Sequence, residues 1–475
     1  MTTVRTRFAP SPTGFMHVGG VRTALFAYLV AKQAGGTFIL RIEDTDKQRE
    51  VEGSEDHIIK TLKMLGLNYD EGPDIGGQYG PYRQSQRLDI YNEWAKKLVD
   101  MGRAYGDPYT EDQVEEFRSR AKALKKPFLY RDFRPSVLPK WQSGQPLRFL
   151  SEPKDYGWHD EIMGDLSAPK EVIDDYILIK SDGYPTYNFA HIVDDYLMNI
   201  SHIIRAQEFL ASIPKFLNLY EALGIDHPLF ATVPFVLGPD GKHKLSKRDG
   251  AKDVLEYISE GYLPESLLSF MASLGWNDGT EQEIFSLNEL LEKFKLSSVQ
   301  RSAAQFDEHR LEWMNGTNIR NLSIDELYKK SQGFWPQTSQ SFSDEYKKKV
   351  LSIIQDRLKY LREISLLTTF FFTQPEVNLE LITKDKKLKN YPKDEIKGFL
   401  EQSLDSLKDS DFSLDDITKR LNNLLTETDQ KPAVLFSLIR IATTQSASSP
   451  GLFETLEVLG KEQTLARLSQ QIAAL

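Results

Sequence analysis

Within its first forty residues the chain switches hydrophobic period twice, and that switch narrows the possible folds more than any other feature. Val4, Thr6 and Phe8 mark one face of a strand, Pro10 and Pro12 interrupt it, and from Val18 the positions Val21, Ala24, Leu25, Tyr28 and Leu29 follow helical spacing. Gly35-Gly36 stop the helix, and Thr37-Phe38-Ile39-Leu40-Arg41-Ile42 is a short apolar run suited to a buried parallel strand. Such a strand, helix, strand unit belongs to doubly wound α/β folds, in which the carboxyl edge of the sheet takes a mononucleotide. The pattern returns at Ile200 to Arg205, Phe209 to Leu223 and Leu229 to Leu237, and ends in Gly238-Pro239-Asp240-Gly241.

These two halves predict a Rossmann-type catalytic domain over residues 1–100 and 183–241, interrupted by an α/β lobe at 101–182. From residue 321 to 475 glycine becomes rare and lysine- and glutamate-rich helical faces take over, which predicts an all-α C-terminal domain, with 242–320 between. A chain of 475 residues exceeds what one core organises, so modularity is expected.

Composition removes several classes of function. The absence of cysteine excludes disulfides, thiolate metal sites and cysteine nucleophiles, and suits a reducing, cytoplasmic setting. No signal core opens the chain, and no stretch approaches the ~20 apolar residues of a membrane span. A net charge of −10 argues mildly against nucleic acid, yet phosphates respond to the local field, and basic runs occur at Arg118 to Arg134 and Lys242 to Lys252.

Two loops carry the chemistry. Ala9-Pro10-Ser11-Pro12-Thr13-Gly14-Phe15-Met16-His17-Val18-Gly19-Gly20 joins the first strand to the first helix, where free N–H groups and the helix dipole favour phosphate. Lys242-His243-Lys244-Leu245-Ser246-Lys247-Arg248-Asp249-Gly250 follows the last strand of the second half, and its lysines suit the charge that develops when pyrophosphate is displaced. Either loop alone is an ordinary surface turn; their order and their positions on one sheet edge make the pair informative.

Together they resemble the His-Ile-Gly-His and Lys-Met-Ser-Lys-Ser signatures of class I aminoacyl-tRNA synthetases. Arg7 to Gly14, Arg41 to Asp46, Gly80 to Ser85, Asp182 to Ala190, Val193-Asp194-Asp195 and Trp313 to Gly316 narrow the resemblance to bacterial glutamyl-tRNA synthetase. That resemblance implies activation of L-glutamate by ATP with Mg²⁺, and transfer to the 3′-terminal adenosine of tRNA(Glu), by a monomer. It also implies that 101–182 binds the acceptor end, 242–320 contacts the stem and 321–475 binds the anticodon.

Residue by residue, the resemblance makes His17, Lys244 and Lys247 catalytic, and adds Pro10, Ser11, Gly14, Gly19, Gly20 and Ser246 to the ATP site. Glutamate carries two carboxylates and one ammonium, so its pocket needs cationic forks and an anion, and arginine is the best fork available. The resemblance gives Arg7, Arg205 and the Tyr187 hydroxyl to the carboxylates and Glu43 to the ammonium, with Ala9, Ser11 and His191 completing the pocket. Which arginine takes which carboxylate is left open.

The departures are Gly20 for the last histidine of the first signature, Leu245 and Arg248 within the second, and His191 where some relatives carry asparagine. Where some relatives hold zinc with cysteines, this chain has Asp107, Tyr109 and Phe133, so no zinc is expected. The alternatives are an enzyme that also charges tRNA(Gln), a glutamine-specific enzyme, a shorter relative that glutamylates a modified tRNA base and lacks the anticodon domain expected here, a small nucleotidylyltransferase and a non-catalytic tRNA-binding paralogue. A helical C-terminus disfavours the glutamine enzyme, length the nucleotidylyltransferase, and the joint presence of His17, Lys247, Arg7 and Arg205 the paralogue.

Overall fold

The computed structural model describes residues 3–245 and 252–475. It comprises two compact units, residues up to Ile258 with Pro264–Glu308, and Ser259–Leu263 with His309–Leu475.

In the first unit, β1 (Arg5–Phe8) leads through residues 9–17 into α1 (Val18–Gln33), and β2 (Thr37–Leu40) returns parallel to β1 with Phe8 opposite Leu40. The glycine pair between them has two distinct jobs. Gly35 takes φ +62°, and at Gly36 a Cβ would collide with the Val4 carbonyl oxygen, so the chain crosses β1 only without a side chain. Next come α2 (Ser54–Met64), α3 (Leu88–Asp100), β3 (Ala104–Gly106), α4 (Glu111–Ala123) and β4 (Leu147–Phe149). They are followed by β5 (Tyr156–Asp160), β6 (Gly164–Ala168), β7 (Ile177–Ile179), α5 (Tyr187–Leu197), β8 (His202–Ala206), α6 (Ile213–Leu223) and β9 (Leu229–Val233). The unit ends with β10 (Val236–Leu237), α7 (Val254–Ser259), α8 (Pro264–Ser273), α9 (Leu287–Lys293) and β11 (Ala304–Gln305).

The main sheet runs β2-β1-β8-β9-β5-β6, with β1 parallel to β2 and β8, and β8 parallel to β9. The chain steps outward from β1 to β2 and, in the other direction, from β8 to β9, so β1 and β8 flank the switch point where a doubly wound sheet opens its crevice. Strands covered on both faces should be apolar throughout. Phe38, Ile39, Leu40, Ile203 and Ile204 comply and are buried, whereas Thr6, Arg7 and Arg205 are buried polar exceptions. Thr6 is satisfied locally by donating to the Ala27 carbonyl of α1 at 2.7 Å.

The interruption between the halves does not stay apart from the main sheet. β3, β4 and β7 form their own antiparallel sheet, but β5 and β6, within the 101–182 segment expected to form an inserted lobe, pair as a hairpin on the edge of the main sheet beyond β9. Asp160 holds the hairpin there: its carboxylate accepts from Ile162 and Met163 N–H in its own turn and from Thr232 N–H and Oγ1 on β9. In the small-sheet region Asp107 pairs with Arg148, and Phe117 stacks on Phe133 at 4.5 Å beside Tyr109.

The second unit is all helical: α10 (Glu308–Asn321), α11 (Ile324–Lys330), α12 (Asp344–Ile354), α13 (Glu363–Phe372), α14 (Glu380–Thr383), α15 (Lys393–Lys408), α16 (Leu414–Thr428), α17 (Pro432–Thr444) and α18 (Leu452–Ala474). Arg467 of α18 is buried and donates to the carbonyls of Thr443, Phe370 and Thr373, tying the last helices to α13. Among the described residues no helix is long and apolar enough to cross a membrane.

Candidate active site

The site is built from the carboxyl ends of β1, β2 and β8 and the N-terminus of α5. Arg7 on β1 sends Nε and Nη2 to the two oxygens of Asp195 at 3.0 and 3.2 Å. Arg41, just past β2, bonds Asp195 at 2.8 Å and Glu43 at 3.0 Å. Arg87, Gln84 and Tyr91 converge on the neighbouring Asp194 at 2.7, 2.9 and 2.8 Å. These groups are buried, and the two flanking arginines hold the Asp195 carboxyl below the usual range against the opposing effect of burial. Burial raises Glu43 above its ordinary value although Arg41 and Arg7 pull it down.

Arg205 is the exception within the cluster. It is only 5% exposed, yet its Nε, Nη1 and Nη2 have no hydrogen-bond partner among the described residues. Its orientation comes from two aromatic faces, Phe209 at 5.3 Å and Phe216 at 5.5 Å from the guanidinium carbon. An unpaired buried charge is costly, and native proteins keep one where a ligand supplies the counter-charge. Four arginines (7, 41, 87, 205) face three carboxylates (Glu43, Asp194, Asp195), so the cluster carries one uncompensated positive charge.

Tyr187 and His191 lie one turn apart on α5, their rings stacked at 4.7 Å. His191 Nδ1 lies 2.6 Å from the Tyr187 carbonyl, which only accepts, so the ring proton sits on Nδ1. Burial, reinforced by the Arg205 charge, holds His191 well below the usual histidine range, and burial pushes the Tyr187 phenol up to about 12. Both side chains are therefore neutral at pH 7.

The nucleotide-type turn adjoins this cluster, since Glu43 N–H donates to the Pro10 carbonyl at 3.0 Å. Further along, Val51 N–H donates to the Pro12 carbonyl and Ser54 Oγ to that of Gly14. His17 is the N-cap of α1: its Nδ1 accepts from Gly19 N–H at 3.2 Å, and no acidic residue occupies the first turn to offset the helix dipole. Among the described residues, a Cβ added at Gly14 would meet nothing within 4 Å, and at Gly20 it would only brush Met16 and Phe8 at 4.0 Å. Neither protein packing nor a positive φ requires glycine at these two positions, so the space above the turn stays open for a ligand. Ser11 is exposed there, and Ala9 and Pro10 are half-buried.

The basic loop arrives on the same edge. Residues 236–245 double back, with Leu245 N–H bonded to the Val236 carbonyl at 2.8 Å, and Lys244 Nζ reaches Glu208 at 3.1 Å, beside Phe209. Past the loop, Asp253 forms an antiparallel bridge with His17, and Val254 N–H donates to the Met16 carbonyl at 3.1 Å. The two ends of the basic loop thus rest against the turn that follows the Arg205 strand and against the His17 turn. Ser246 and Lys247 lie outside the described residues.

Of the expected residues, Arg7, Glu43, Tyr187, His191 and Arg205 come together in one buried cluster, with Ala9 to Gly20 beside it and Lys244 at its rim. Nothing in the sequence alone marks Arg41, Phe209, Phe216 or His57 for a part in the site, and Asp194-Asp195 stands in its motif without a role. Charge on the polar end of an otherwise apolar helix was the available signal for the two aspartates.

A glycine-bearing turn at a helix N-terminus and a basic hairpin meeting at the switch point of a parallel sheet define a class of nucleotide-using enzyme, and the chain belongs to the class I tRNA synthetases. The family described as tRNA synthetases class I (E and Q), catalytic domain, matches residues 3–313, and an anticodon binding domain family matches residues 326–472.

Among similar proteins, a glutamate–tRNA ligase of Clostridium botulinum is 42% identical over 98% of this chain and 97% of its own length. That of Clostridium kluyveri is 41% identical over 100% and 99%. Among solved structures, a glutamate tRNA ligase from Elizabethkingia meningosepticum in complex with its amino acid superposes with TM-score 0.89 at 33% identity, covering 100% of both chains. The glutamate-tRNA synthetase of Elizabethkingia anophelis gives 0.85 at 32% identity, over 99% of this chain and 100% of that one.

Proposed function

We propose that the protein activates L-glutamate with ATP and transfers it to the 3′-terminal adenosine of tRNA(Glu). The observation that carries the amino-acid assignment is Arg205, a buried guanidinium whose nitrogens have no hydrogen-bond partner among the described residues. Glutamate has net charge −1 and neutralises the excess charge of the cluster, whereas glutamine is neutral and leaves it standing.

In this reading Arg205 takes a substrate carboxylate bidentately, assisted by Arg7 and the Tyr187 hydroxyl, while Glu43 faces the ammonium and Ala9, Ser11 and His191 complete the wall. Arg7 and Arg41 are held by Asp195, so their geometry is set before substrate arrives. ATP lies over the turn, contacting Pro10, Ser11, Gly14, His17, Gly19 and Gly20, with Lys244, Ser246 and Lys247 on the phosphates. Mg²⁺ would be brought by the triphosphate itself and would offset part of its negative charge.

With the two substrates in line, the glutamate α-carboxylate attacks the α-phosphorus and pyrophosphate leaves. His17, Lys244 and Lys247 stabilise charge on the phosphoryl oxygens; Nδ1 of His17 accepts from Gly19 N–H, so Nε2 is the nitrogen that carries a proton for this. The terminal adenosine hydroxyl then attacks the mixed anhydride, and no protein nucleophile is needed. In the same reading residues 101–182 bind the acceptor end, 242–320 contact the stem, and 321–475 bind the anticodon of tRNA(Glu).

The test is pyrophosphate release and aminoacylation with glutamate against glutamine, on separate tRNA(Glu) and tRNA(Gln). Charging with glutamate on tRNA(Glu) is the expected result. Absence of glutamate-dependent pyrophosphate release in the presence of tRNA would refute the reading.

A further inference from the structure

His57, near the start of α2, touches the first signature segment and Asp253, just past the end of the second. Its ring stacks on Phe15 with centroids 4.6 Å apart and planes 17° apart. Its Nδ1 accepts from Met16 N–H at 3.3 Å, which puts the ring proton on Nε2, and Nε2 lies 3.2 Å from Asp253 Oδ1. Asp253 is itself fixed, since the same oxygen accepts from Glu256 N–H at 3.1 Å in the first turn of α7. Between these two bonds run the backbone bridge from His17 to Asp253 and the bond from Val254 N–H to the Met16 carbonyl. One imidazole therefore clamps the residue before His17 to the residue beside it, with 11% of its side chain exposed.

We propose that His57 is a positioning residue for ATP: through Met16 and Asp253 it fixes the direction in which His17 faces the phosphates, an inference that rests on the reading above that this turn takes the nucleotide. A purely structural histidine would lower stability without distinguishing one substrate from the other. A clamp on the turn acts on ATP and leaves the amino-acid cluster, built on Arg7, Asp195 and Arg205, untouched.

The experiment is steady-state pyrophosphate release by the full chain with tRNA(Glu), together with thermal melting, for His57→Ala, His57→Gln, Asp253→Asn and the His57→Ala/Asp253→Asn pair. In His57→Ala the KM for ATP rises about tenfold and the KM for glutamate stays within about twofold of wild type. Glutamine carries an amide where Nε2 stood, so His57→Gln recovers most of that loss. The double variant is no worse than His57→Ala, because both changes cut the same bond. The proposal is overturned if His57→Ala keeps the wild-type KM for ATP. It is equally overturned if both KM values rise together with a lowered melting temperature and glutamine restores nothing. A wild-type protein that releases no pyrophosphate with glutamate sinks the functional reading and this inference with it; an active wild type with an indifferent His57 sinks this inference alone.

Discussion

Arg7 and Arg205 stand on neighbouring parallel strands of one sheet, the first forked onto Asp195 at 3.0 and 3.2 Å and the second with no hydrogen-bond partner among the described residues. Two arginines of equal charge thus have different energetic standing. Arg7 contributes to the fold through a desolvated pair, and removing either partner strands the other. Arg205 is held by Phe209 and Phe216 through its π-face, which fixes its direction and leaves its N–H edge unengaged.

That difference predicts opposite effects on stability and activity. Arg205→Met removes an uncompensated buried charge and keeps the aromatic packing, so the protein should be as stable as wild type or more so, by about 1–3 kcal/mol. The KM for glutamate should rise about a hundredfold or more, since a buried charged pair is lost in the complex. Urea unfolding and pyrophosphate-release kinetics on the same preparation check both halves. A destabilised variant with an unchanged KM would mean that Arg205 belongs to the fold rather than to substrate.

His191 gives the site an acid limit. Its folded-state pKa lies well below the ordinary value of 6.5, because burial and then Arg205 disfavour the cation. Below pH 6.5 the unfolded chain binds a proton that the native state refuses, so this contribution is intact above pH 6.5 and is lost as the pH falls. Glu43 is shifted upward and works in the opposite sense at lower pH, so the comparison must be between variants. Relative to His191→Asn, wild type should lose more stability on going from pH 7 to pH 5. Parallel unfolding curves at the two pH values would show that the imidazole does not resist protonation.

Much of this site could be read from residues alone because its parts are local. The change of period around Pro10, the glycine pair and the short apolar strand are contained within forty residues, and each rests on a backbone requirement seen in the fold, such as the crossing at Gly36. What stayed hidden depends on contacts between distant positions. Asp195 meets Arg7 across 188 positions, and in sequence it is one of two adjacent aspartates towards a helix end. Phe216 reads as an ordinary apolar position on α6, and only the fold turns its ring toward Arg205. The sequence marks 101–182 only as an inserted α/β lobe, and neither the β5–β6 hairpin within it nor its attachment to β9 through the Asp160 bonds to Thr232 can be read there.

The glycines of the first turn separate ligand space from backbone necessity. Gly14→Ala adds a methyl group that meets no atom of the described residues within 4 Å, so its melting temperature should match wild type while the KM for ATP rises about tenfold or more. Gly36→Ala drives its Cβ into the Val4 carbonyl and should cost about 2 kcal/mol or more, with substrate KM values unchanged in the folded fraction. Exchange of these two phenotypes would show that the open space over the turn is not occupied by nucleotide.

Lys244 offers a test of the basic loop on described residues. Its ammonium rests 3.1 Å from Glu208, with both side chains largely exposed, so the pair contributes no more than about 1 kcal/mol to folding. If the same ammonium moves onto the phosphates, Lys244→Ala should slow glutamate activation about a hundredfold while leaving stability within that margin. Glu208→Gln removes the competing carboxylate and should leave the KM for ATP unchanged or lower it, because the lysine no longer has to exchange one anion for another. Stopped-flow adenylate formation and thermal melting on the two variants decide the matter. A Lys244→Ala enzyme with wild-type turnover would confine that lysine to its contact with Glu208 and shift the electrostatic work to His17 and Lys247.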